Sequence, residues 1–146
     1  VFYRLVGRLF LGCLLSACLG FTGAGLSAQT FDAIHLREPA DLGSTWLVQG
    51  GDDLAYARPD LDDSHWIPFD PNSSITTLFP KGNPGVVWYR LHVKVDPSQT
   101  GLGLREQSIS RAFEVYVNGE RLITSGKVAP YEPYTVGALV LKRIPD

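Results

Sequence analysis

The sequence predicts an all-β domain, an antiparallel β-sandwich preceded by an export leader. Three observations carry that prediction. Short runs of alternating apolar and polar residues recur along the body of the chain, each bounded by Gly, Pro, Asn or Asp. Asn118-Gly119 stands directly between two such runs, the strongest short-range signal for a hairpin, because both residue types tolerate positive φ. The body has no apolar spacing of the long amphipathic kind, and Pro68, Pro71, Pro80 and Pro84 exclude a long helix from the crossing they occupy.

Composition sets the outer bounds. A chain of 146 residues has room for one domain with a sizeable core, and 45% hydrophobic against 19% charged residues suits a packed protein. The formal charge is −2. With Arg4 and Arg8 removed in the leader, 11 basic residues (13 less 2) face 15 acidic ones, a balance of −4. That sign, without any dense Lys/Arg run, argues against a nucleic-acid partner held through its phosphates. Both cysteines, Cys13 and Cys18, lie in the first apolar stretch, so the body has no disulfide and no Cys-based zinc site.

Residues 1–28 read as a signal peptide. Arg4 and Arg8 give the positive start, Leu9 to Leu15 opens the apolar region, and Leu26-Ser27-Ala28 offers a small residue before a cut ahead of Gln29. Gly12, Ser16, Gly20 and Gly23 interrupt the apolar run, which disfavours a stable membrane span. Leu15-Ser16-Ala17-Cys18 also resembles a bacterial lipobox, in which Cys18 would carry a lipid anchor. Either route places the domain outside the cytoplasm.

Residues 29–43 form a lead-in segment, extended over Phe31 to Leu36 and punctuated by Pro39 and Gly43. The sandwich runs over 44–146. Ser44 to Gln49 reads as its first strand, Gly50 to Asp53 as a turn, and Leu54 to Ala57 as a short strand ended by Pro59. Asp60 to Trp66 suits a single capped turn, because Asp and Ser oxygens accept free backbone N–H groups, and it drops Trp66 onto the sheet. The alternation of Asp60, Asp62 and Ser64 is also that of a calcium loop, but His65 stands where such a loop needs glycine and Pro71 where it needs glutamate. Ser74 to Phe79 is a short piece inside the proline-rich crossing. Val86 to Val95 is the clearest strand. Val87, Tyr89, Leu91, Val93 and Val95 share one face, and Trp88, Arg90, His92 and Lys94 share the other, which reads as wetter. Leu102 and Leu104 mark a further strand. Phe113 to Val117 and Glu120 to Thr124 flank the Asn-Gly turn, and Val136 to Ile144 is a last strand after Pro130 and Pro133.

Three of these stretches carry a resemblance. Asp62-Asp63-Ser64-His65-Trp66, then Trp88-Tyr89-Arg90, then Val115-Tyr116-Val117-Asn118-Gly119-Glu120 resemble, in order and spacing, the landmarks of the N-terminal sugar-binding domain of family 2 glycoside hydrolases. That domain is a galactose-binding-like jelly roll, and the resemblance covers roughly Trp46 to Tyr134. The module is similar to the extracytoplasmic input domains of bacterial membrane signalling proteins. The whole stretch, leader included, looks closest to the N-terminal region of membrane-bound PPM-type (sporulation-phosphatase-like) serine phosphatases or histidine kinases. The resemblance implies a sandwich incomplete at its C-terminus, with the family pattern continuing beyond Asp146. It implies a non-catalytic sensory domain tethered to the membrane through later sequence. The alternatives are the sugar-binding domain of a secreted family 2 hydrolase and a lipid-anchored, free-standing binding protein.

The residues themselves offer no catalytic constellation. His35, His65 and His92 lack the i, i+4 pairing of helical metalloproteases. Ser64, His92 and Asp53 make a triad only on paper, without a Gly-x-Ser-x-Gly elbow. Gly101 and Gly103 are a lone Gly-x-Gly, and no cofactor is implied. Asn72-Ser73-Ser74 is a glycosylation acceptor only in a eukaryotic secretory host. For binding, sugar faces stack on aromatic rings, so Trp88 on the outer strand face with Tyr131 and Tyr134 in the late loop is the candidate set for a carbohydrate or other small ligand. The opposing reading packs Trp46 and Trp66 in the core and Trp88 under the crossing. Arg90 reads as a structural ion pair, or as a stem covering apolar surface.

Overall fold

The computed structural model describes residues 2–9, 30–82, 84–106, 112–132 and 140–143. It is mostly strand, with two short 3₁₀ turns at Leu54–Ala57 and Ile75–Thr77. The strands are β1 (Phe2–Leu9), β2 (Thr30–Asp32), β3 (Trp46–Gly50), β4 (Ile67–Phe69), β5 (Val86–Lys94), β6 (Gly103–Glu106), β7 (Phe113–Val117), β8 (Glu120–Ser125) and β9 (Val140–Arg143). A seven-stranded sheet runs in the order β4-β3-β5-β1-β7-β8, with β2 pairing β5 beside β3. β6 and β9 form a separate antiparallel pair.

The expected strands recur near their expected limits, with three differences. The Leu54–Ala57 stretch is a 3₁₀ turn rather than a strand, because the Asp53 side chain accepts from Ala55 N at 2.9 Å and its carbonyl from Tyr56 N at 3.1 Å. That is the local competition by which Asp draws backbone away from a ladder. The sheet is mixed rather than purely antiparallel, since β1 runs parallel to both β5 and β7 and β2 runs parallel to β5. The last strand is seen over Val140–Arg143. The rest of its expected span, the leader cleavage point and Cys18 lie outside the described residues.

β5 organises the rest. Every residue from Val86 to His92 is buried, so the strand is covered on both faces and the wetter face read from its alternation is corrected. On one side Val87, Tyr89 and Leu91 pack with Trp46, Val48 and Ile75, with Phe79 of the crossing laid against them. Phe113, Val115 and Ile123 continue that side on β7 and β8, with Leu104 of β6 resting on them. On the other side Trp88 joins Leu47, Trp66, Tyr116 and Val128. Arg90 and His92 escape solvent there because the segment 53–66 folds over them.

The Asn-Gly hairpin forms as its residues dictate. Asn118 has φ 50° and Gly119 φ 90°, the left-handed pair that matches strand twist. A register shift follows between Val115 and Tyr116, where β8 carries one extra residue. A Cβ on Gly119 would also lie 3.3 Å from Pro59 Cδ, so the hairpin tip rests against the 57–59 backbone. Gly119→Ala therefore meets both an unfavourable φ and a close neighbour. It is expected to lower stability by about 1–2 kcal/mol, read as a lower urea midpoint at unchanged slope.

Candidate functional site

The segment from Asp53 to Trp66 is held on β5 by one buried cation. The Arg90 guanidinium is 0% exposed. Its Nη1 donates to the carbonyls of Tyr56 and Arg58, both at 3.1 Å, and its Nη2 to those of Arg58 at 3.1 Å and Pro59 at 3.3 Å. Its Nε lies 2.6 Å from Asp63 Oδ2, and His92 Nε2 meets the same oxygen at 2.7 Å. The planar fork of arginine suits this work, since it serves three carbonyls and a carboxylate from one position. The expected structural ion pair of Arg90 is present, and Asp63 is its partner.

The other acids of the segment each have a local task. Asp60 pairs with Arg58 at 2.7 Å in the open, which raises the Arg58 pKa, chiefly through the side-chain hydrogen bond. Asp62 Oδ1 accepts from Ser64 N at 3.0 Å. Hydrogen bonds from the Ser64 side chain and backbone hold the Asp62 carboxyl below its ordinary value of 3.8. With the folded value depressed, the contribution of this turn is complete above pH 3.8 and fades as pH falls through the lower folded value. Asp60, Asp62 and Asp63 thus turn to different partners instead of converging as a calcium loop requires. Among the described residues, no group of three His, Cys, Asp or Glu is placed to hold a metal.

Trp66 closes the turn, with its backbone N–H donating to the Asp63 carbonyl at 3.0 Å and the residue only 3% exposed. Tyr56 stands edge-on to Trp66 (centroids 5.3 Å, 79°) and to Trp88 (5.9 Å, 89°), while Trp88 lies tilted on Tyr116 at 5.4 Å. Glu114 anchors the far side, accepting from Tyr116 Oη at 2.7 Å and from Arg121 Nη1 at 3.1 Å.

The aromatic set read from the sequence separates here. Trp88 is 0% exposed inside this cluster, so its placement on an open strand face is corrected: Tyr56, Trp66 and Tyr116 cover its ring. Tyr131 is 44% exposed, in a loop closed by the Lys127–Glu132 bridge and ion pair at 2.7 Å. That loop is rooted in the Trp88 cluster by the buried Val128. Tyr134 lies outside the described residues. The shared Asp63 carboxylate is not announced by the alternation of β5. Its signal lies in the residue types, Arg90 and His92 at alternate positions of one strand face, with an Asp-rich turn earlier in the chain. No family model, curated protein or solved structure matches the chain.

Proposed function

We propose that this chain is a non-catalytic, extracytoplasmic ligand-binding domain at the N-terminus of a bacterial membrane signalling protein. Its effector, a serine phosphatase or histidine kinase, lies in later sequence. The sheet is read as one layer of a galactose-binding-like jelly roll. One observation supports this most: the three landmark stretches of the resemblance meet physically. The Asp62–Trp66 turn is ion-paired to Arg90 beside Trp88-Tyr89, and the Val115–Glu120 hairpin lends Tyr116 to the same aromatic cluster and its tip to Pro59.

In this reading Trp88 supports the ligand surface from beneath, and Tyr131, with Tyr134, offers the ring that touches a carbohydrate or other small ligand. Reading the coding sequence past Asp146 is the decisive test. Membrane helices followed by an effector would support the proposal. A barrel with paired glutamates would favour the sugar-binding domain of a secreted hydrolase, and a stop codon a free-standing binding protein. A glycan array on the protein then names the ligand. Tyr131→Ala is expected to weaken binding by up to about tenfold with the thermal transition unchanged; equal binding by the variant would remove Tyr131 from the site.

A further inference from the structure

β5 and β7 run in the same direction and do not pair with each other; β1 separates them. Phe2 to Leu9 register with Val86 to Val93 of β5, and Tyr3 to Gly7 register with Phe113 to Val117 of β7. The same eight residues supply the basic start of the stretch read above as a leader. The two roles compete. If the leader is cut away, two buried strands lose their partners along facing edges, and buried N–H and C=O groups without partners are costly.

We propose that the slot between β5 and β7 is a strand-acceptor site, filled by Phe2–Leu9 in the unprocessed chain and opened to a second extended strand once the leader is removed. The opening step rests on the reading of residues 1–28 as a removable leader; the slot itself rests only on the sheet. Its occupant is an extended peptide taken up by β-augmentation, in which main-chain hydrogen bonds give affinity and alternate side chains give selectivity.

The flanking strands specify that peptide. Positions in register with Val87 and Phe113, and with Tyr89 and Val115, lie between two apolar clusters, one on β3 and β5 and the other on β7 and β8. An apolar residue at each would join the clusters. The intervening position is in register with Trp88 and with the buried carboxylate Glu114, and suits a cation. In Phe2–Leu9 these register positions are Tyr3, Leu5 and Arg4.

The test uses the full chain with a protease site placed between Ala28 and Gln29. After cutting under native conditions, the 1–28 fragment is expected to stay with the body on size exclusion. A fluorescent synthetic peptide with the sequence of residues 2–9 is expected to exchange into the cut protein and not into the uncut one. The same peptide carrying Leu5→Pro, which lacks an N–H needed by a strand paired on both sides, is expected to bind at least about tenfold more weakly. Loss of the fragment from a body that keeps its β signal and unfolding transition yet takes up no added peptide would overturn the slot. Equal uptake of the Leu5→Pro peptide would overturn it too. If the fragment leaves and the body loses its β signal, excess parent peptide must restore that signal, and failure to do so also overturns the proposal. The intact mass of the exported chain separates the two claims: retention of residues 1–28 would sink the opening step and the leader reading, while peptide exchange measures the slot.

Discussion

Arg90→Ala is expected to cost about 3–5 kcal/mol of folding stability, the range for removing one partner of a buried ion pair. The loss is larger than a surface ion pair gives, because the guanidinium is fully enclosed and serves several acceptors together. Truncation leaves the carbonyls of Tyr56, Arg58 and Pro59 without this donor, and leaves the Asp63 carboxylate in a site only 15% open. Most of the penalty is the desolvation of those acceptors rather than lost attraction. Two controls follow from that physics. Arg90→Met fills the space but supplies no donor, so it should recover little, unlike a pair that hydrophobic isosteres replace at no cost. Arg90→Lys keeps the charge but not the fork, and should recover only part. Urea unfolding of the full chain measures all three, with the shift in midpoint at constant slope as the readout. An Arg90→Ala variant within about 1 kcal/mol of the parent would show that the 53–66 segment holds its place without this residue.

The same residues show how far a sequence can be read. The limits of β5, the Asn-Gly hairpin and the capped turn ahead of Trp66 are local matters. Alternation, positive-φ residues and Asp or Ser beside free N–H groups announce them directly. What covers a face is not local. Trp88, Arg90 and His92 alternate like the outer face of a half-exposed strand, and the fold-back of residues 53–66, with Tyr116 and Val128 on the Trp88 side, buries them. The information lies in the match between Asp63 and two cationic or polar partners on a strand 27 and 29 positions later, which periodicity does not see. The Leu54–Ala57 turn was lost for the opposite reason: its alternation favours a strand, but Asp53 offers the backbone closer partners. Parallel pairing of β1 and β2 depends on where distant segments arrive, and nothing within either segment encodes it. Tyr131 is legible as an exposed aromatic in a Pro-bounded loop, whereas the burial of Trp88 becomes visible only with its cover in place.

Trp66→Ala is expected to destabilise the chain by about 3–5 kcal/mol, the range for deleting a buried aromatic side chain. Trp66 is 3% exposed and packs among Leu47, Ala57, Val86, Trp88 and Tyr116, so its removal opens a cavity between the sheet and the 53–66 segment. Collapse cannot readily fill that space, because Arg90 and Asp63 fix the backbone of the turn on one side and Trp88 is pinned by β5 on the other. Among the described residues the buried indole N–H has no hydrogen-bond partner, which sharpens the test. Trp66→Phe sacrifices area but no hydrogen bond and keeps an aromatic face for the edge of Tyr56, so it should cost less than half as much as the alanine variant. If Phe proved as damaging as Ala, a polar role for the N–H would replace the packing one. Combining Trp66→Ala with Arg90→Ala supplies the final discrimination. Both act on one segment, and once the turn has lifted off β5 the second deletion has less left to lose. The double variant should therefore fall short of additivity by more than about 1 kcal/mol; strict additivity would mean that the indole and the guanidinium hold separate parts of the fold.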